Sequence, residues 1–95
     1  MTRDLFRARI AVQLNVGIND PQGLTVRSSL HELGFEQVRD VRIGKLITID
    51  LVASEPTAAH KSLEAMCTKL LANPIIESFE IEDLTCISKS TEPHS

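Results

Sequence analysis

Tryptophan and tyrosine are missing from this chain, and phenylalanine occurs only three times. A module that stacks unpaired bases on aromatic rings therefore has nothing to build its platform from. The core must be aliphatic. Positive charge is also short: ten Lys and Arg face thirteen Asp and Glu, for a net charge of −3 and a pI near 5.5. That balance gives no electrostatic footprint for nucleic acid or an anionic membrane. The two cysteines, Cys67 and Cys86, make neither a disulfide framework nor a Cys-rich metal site, and a reducing cytoplasm is the expected setting. No apolar run approaches the roughly 20 residues that cross a bilayer. His31, His60 and His94 fall on two predicted helices and the tail, with no ligand spacing, and are expected on the surface.

What is present suits one modest domain. A chain of 95 residues, 42% of them hydrophobic, buries roughly 60–65% of the surface its unfolded form exposes. The domain is expected over residues 1–87, followed by a mobile polar tail, SKSTEPHS, from Ser88 to Ser95. Phe6 to Asn15 alternates, with Phe6, Ala8, Ile10, Val12 and Leu14 on one face and Arg7, Arg9, Gln13 and Asn15 on the other. That period of two predicts a strand. Asp20 is then a good N-cap, Pro21 fits the first helical position, and Gly34 suits the left-handed residue past the helix end. Between them Leu24, Arg27 and Leu30, widened by Val26 and Leu33, predict a helix with one face on the sheet.

Phe35 to Ile43 predicts a second strand, and Gly44-Lys45 a hairpin tip leading to a third, with Ile47, Ile49, Leu51 and Ala53 inward. Ala59, Leu63, Met66, Cys67, Leu70 and Leu71 form the stripe of a second helix that starts near Pro56 and stops at Asn73-Pro74. Ile75 to Asp83 closes the series as a fourth strand, with Phe79 and Ile81 inward. The order β-α-β-β-α-β predicts an α+β, ferredoxin-like split βαβ sandwich: a four-stranded antiparallel sheet with both helices on one face. Strand order 4-1-3-2 sets the last strand beside the first, with Arg7 and Arg9 across from Glu80 and Glu82.

Candidate sites are few. The Asp20-Pro21-Gln22-Gly23 turn could offer free N–H groups to an anion, but the Asp20 carboxylate itself competes for those donors. Lys45 has two readings, a solvated hairpin lysine or a protein contact. Glu77, Glu80, Glu82 and Asp83 are divided between the sheet faces with no nucleophile or electrophile beside them, so no catalytic, metal or cofactor site is expected. Among functions carried by this topology, an RNA-recognition module lacks its aromatics, and an acylphosphatase-like enzyme lacks an arginine in Gly17-Ile18-Asn19-Asp20. An ACT-like regulator binding a small molecule near Gly17 stays open.

The segments AVQLNVGINDPQG, HELGF, VRIGK and MCTKLLANPIIESFEIE, in this order and spacing, resemble the PurS family of small subunits of phosphoribosylformylglycinamidine synthase. The resemblance implies a homodimeric, non-catalytic adaptor between a glutaminase subunit and a large synthetase subunit, in the cytoplasm. Those partners convert formylglycinamide ribonucleotide, ATP, glutamine and water to formylglycinamidine ribonucleotide, ADP, phosphate and glutamate. They, not this chain, would use ATP, Mg and glutamine. Asp20, Pro21, Gln22, Gly23, Gly44 and Lys45 then become candidate positions for docking or for shaping the ammonia path.

Overall fold

Eleven residues of alternating character make the first strand the spine of the protein. In the computed structural model, which describes residues 3–89, β1 (Asp4–Leu14) is flanked on both sides, antiparallel, by β2 (Lys45–Ala53) and β3 (Glu77–Ser88). Its inward residues Phe6, Ala8, Ile10 and Val12 are all buried, as the alternation predicts. Helix α2 (Pro56–Met66) covers that face with Ala59 and Leu63, and Cys67 and Ala72 complete the packing. Partly buried Ile47, Ile49, Leu51, Phe79, Ile81 and Leu84 close the core from the flanking strands. The last strand lies beside the first, as expected from the split βαβ order.

The expected second strand, Phe35 to Ile43, is absent: among the described residues the sheet has three strands. Residues 38–43 run extended but pair with helix α1 (Pro21–Glu32) instead of a strand. His31 Nε2 lies 2.7 Å from the Val38 carbonyl, Arg27 donates to the Arg39 carbonyl at 3.3 Å, and the Ile43 N–H donates to Asp20 at 2.7 Å. Helix positions 31 to 20 span about 16 Å at 1.5 Å per residue, and positions 38 to 43 cover about the same length at roughly 3.3 Å each. The segment is thus a strap laid antiparallel along the helix. Its backbone polar groups meet helix side chains, which removes the need for a neighbouring strand.

Three further expectations are corrected. Gly44-Lys45 is not a hairpin tip, because the strap passes straight into β2 and Lys45 pairs with Val12 as its first residue. Helix α1 does not lie on the sheet face: Gly23 is its one buried residue, while Leu24 and Leu33 are 45% and 73% exposed. Polar ties to the strap hold it where apolar packing was expected. Leu70, expected in the core stripe, is 82% exposed. A π-helical turn, Cys67–Leu71, closes with Ala72 N–H donating to the Cys67 carbonyl, and the wider turn rotates Leu70 outward.

Register supplies the last correction. Arg9 pairs with Asp83 and Ile10 with Ile81, so Glu82 is an extra bulge residue. Arg7 and Arg9 consequently do not face Glu80 and Glu82. Arg7 sits opposite Asp50 in β2 and donates to its carboxylate at 2.8 and 3.0 Å. β3 itself runs on to Ser88, past a second register shift at Ile87, so Cys86 lies within the strand. Of the expected tail, residues 90–95 lie outside the described residues, as does His94.

Candidate functional site: a cleft at the end of the sheet

Asp20 anchors this end of the molecule. It is only 6% exposed, and its two carboxylate oxygens accept from different elements, one from Gly23 N–H at 2.9 Å and the other from Ile43 N–H at 2.7 Å. These bonds, Ile43 first and Gly23 second, hold the Asp20 carboxyl below its ordinary 3.8 against the opposing effect of burial, with Arg42 helping by charge. The residue is an N-cap that also fastens the strap. Its carboxylate occupies the helix N-terminus, which leaves the anion-site reading without support.

Two glycines allow close approach here. A Cβ on Gly23 would meet the Val41 carbonyl oxygen at 2.1 Å, and one on Gly44 would meet the Val12 carbonyl oxygen at 2.6 Å. Any side chain at either position would push the strap off α1 or β2 off β1.

Asp20, Pro21, Gln22, Gly44 and Lys45, far apart in sequence, line one cleft of about 280 Å³ together with Val12, Leu14, Ile43 and Glu77. Gly23 is not part of that lining and packs against the strap at Val41. Five of the six residues singled out from sequence therefore meet in this cleft, although by a different route from a hairpin tip. Beside the cleft, Pro21, Gln22, Thr25, Val26 and Ile43 line a second, largely apolar depression of about 470 Å³. Sequence reasoning missed Arg42. Its guanidinium donates to the carbonyls of Ile18 at 3.1 Å, Asn15 at 3.0 Å and Leu14 at 3.3 Å. An isolated arginine in VRDVRI gives no signal of such a role, because its acceptors are backbone atoms.

The remaining candidates stay apart from the cleft. His31 is partly buried against the strap, whereas His60 is exposed with Nδ1 3.8 Å from Glu64. Cys67 is buried, and burial, with Glu64 nearby, pushes its thiol upward, the opposite of activation. Cys86 is exposed on β3. Among the described residues no three His, Cys, Asp or Glu side chains gather to hold a metal ion, and no helix is long and apolar enough to cross a membrane.

Residues 7–84, a span that contains every cleft residue, match the sequence profile PurS, described as phosphoribosylformylglycinamidine (FGAM) synthase. The chain belongs to the PurS family. The PurS subunit of Synechocystis is 39% identical over 88 residues, covering 93% of this chain and 87% of that protein. The crystal structure of PurS from Methanocaldococcus jannaschii superposes with a TM-score of 0.76 at 34% identity, covering 87% of this chain and 99% of that one. Its PurS chain is one of the subunits of formylglycinamide ribonucleotide amidotransferase, in the purine biosynthetic pathway. A chain of the PurLQS structure from Thermotoga maritima superposes with a TM-score of 0.75 at 30% identity, covering 87% and 98% of the two chains. Membership of the PurS family makes this chain a subunit of FGAM synthase in purine biosynthesis.

Proposed function

We propose that the chain works as a non-catalytic adaptor: a homodimer, in the cytoplasm, that joins a glutaminase subunit to a large synthetase subunit of FGAM synthase and supports ammonia transfer between them. In this reading ATP, Mg and glutamine are handled by the partner subunits and the chain binds no cofactor. The observation that carries the proposal is the exposed helix α1. Leu24, Val26, Leu33 and Phe35 lie at least one-third exposed along an element that barely touches its own sheet. The radius of gyration is 18.3 Å, against about 12 Å for a compact chain of this length. Such a shape leaves apolar surface to be covered by other polypeptides.

A second copy is the natural first cover. Among the described residues β2 and β3 have no neighbouring strand on their outer edges, and an edge of this kind is a template for strand addition. The cleft lined by Asp20, Pro21, Gln22, Gly44 and Lys45 is the docking position for a larger subunit, with Lys45 offering a charge at its mouth. Joining the two large subunits in a defined relation keeps ammonia from bulk water and protonation on its way between active sites. Co-purification tests the proposal: the tagged chain is expected to retain both large subunits as a dimer. A monomer at micromolar concentration that retains neither, or that instead binds an amino acid saturably, would overturn it.

A further inference from the structure

Helix α1 has almost no apolar anchorage to the sheet, so some other interaction must set its direction. Helix and strap form one unit, tied by the His31–Val38, Arg27–Arg39 and Asp20–Ile43 bonds and by the contact of Gly23 with Val41. That unit joins the sheet through two chain crossings, each with a glycine. Gly17, in the loop leaving β1, has φ +92°, and Gly44 precedes β2. Backbone at such positions is permissive and does not by itself fix an angle.

Arg42 spans the joint. Its side chain leaves the strap and donates to Leu14, the last residue of β1, and to Asn15 and Ile18 in the loop beyond it. Among the described residues, the hydrogen bonds from the helix–strap unit to the end of β1 all come from this one guanidinium. Its planar fork suits the task, since it directs several donors at fixed angles where a lysine would offer a single nitrogen. A positive charge at carbonyl oxygens also gains more than a neutral donor would.

From this geometry we infer that Arg42 is a positioning residue: it braces the helix–strap unit against β1, and so fixes the angle between the surface of α1 and the sheet. It touches no reactant. The inference rests on the adaptor reading, because the angle matters only when two partners must be held in register.

The test is a reconstituted complex of the two large subunits with the wild-type chain, with Arg42→Lys, with Arg42→Gln, or with no added chain. Product formation is driven either by glutamine or by added ammonium. Ammonium reaches the synthetase without passing between subunits, so the ratio of the two rates reports alignment and not synthetase chemistry. Arg42→Gln is expected to lower the glutamine-driven rate about tenfold, the scale of losing one charged hydrogen bond. The ammonium-driven rate should hold within about twofold. Arg42→Lys should fall between wild type and Arg42→Gln, and it carries the test if Arg42→Gln does not fold. Equal ratios in the wild type and every folded variant would overturn the role of Arg42. If omitting the chain left the glutamine-driven rate unchanged, the adaptor reading would fail, and the inference with it.

Discussion

Replacing Gly23 with alanine tests how α1 is fastened. The new Cβ would lie 2.1 Å from the Val41 carbonyl oxygen and 3.0 Å from an Asp20 carboxylate oxygen. The first of these is backbone and cannot rotate aside, so the strap must retreat by more than about 1 Å to restore ordinary contact. Ile43, two residues further on, keeps its 2.7 Å bond to Asp20 only while the strap stays in place. Overpacking of this kind costs about 1–3 kcal/mol, and alanine returns up to about 1 kcal/mol of helix propensity. With that offset the net loss, up to about 2 kcal/mol, lowers Tm by up to roughly 16 °C in a chain of this size. Because α1 leans on the strap and not on the core, the damage should be local. The Ile43 amide is expected to exchange much faster, while the amide of Ile10 in β1 keeps its protection. Hydrogen exchange by NMR and thermal melts at matched protein concentration read both effects. A Gly23→Ala chain that melts like the wild type and protects Ile43 equally would show that the strap does not fasten α1 through Gly23.

Other consequences can be checked alongside. Leu63 is fully buried between α2 and the sheet, so Leu63→Ala should lower the stability measured by urea unfolding by about 2–5 kcal/mol. Asp20 has its folded pKa below the ordinary 3.8, so its stabilisation is complete above the unfolded value and drains away as pH falls through the lower folded one. Urea midpoints should therefore decline below about pH 4, and Asp20→Asn should flatten that decline. Identical slopes in the two proteins would contradict it. On the proposed adaptor reading, Lys45→Glu should leave fold and self-association unchanged and weaken assembly with the large subunits in a titration, and normal affinity would remove Lys45 from the proposed interface.

The spine of this fold was legible because its signals are local. Alternation in Phe6 to Val12, the Asp20 cap with Pro21 behind it, and Gly34 with φ +103° just past α1 each depend on residues close in sequence. The strap was half legible. VRDVRI does encode extended chain, but its lateral partners are the Arg27 and His31 side chains and the Asp20 carboxylate, and no period in the sequence says that a helix will replace a strand. Leu70 was misplaced because a single π-helical turn breaks the helical period behind Cys67. β3 was cut short for a similar reason: the bulge at Glu82 moves the inward position from Ile81 to Leu84, which ends the visible alternation. The cleft residues were found individually from their turn chemistry and family resemblance, and their meeting place needed the straight passage of strap into β2. Arg42, whose partners are carbonyls, left no pattern to find.

Glutamine-dependent formation of formylglycinamidine ribonucleotide by the two large subunits, measured with and without this chain, separates an adaptor from a dispensable subunit. An adaptor is expected to be required for that rate while turning over nothing when incubated alone with formylglycinamide ribonucleotide, ATP and glutamine. An undiminished rate in its absence, or turnover by the isolated chain that one of its own side-chain substitutions abolishes, would contradict that role.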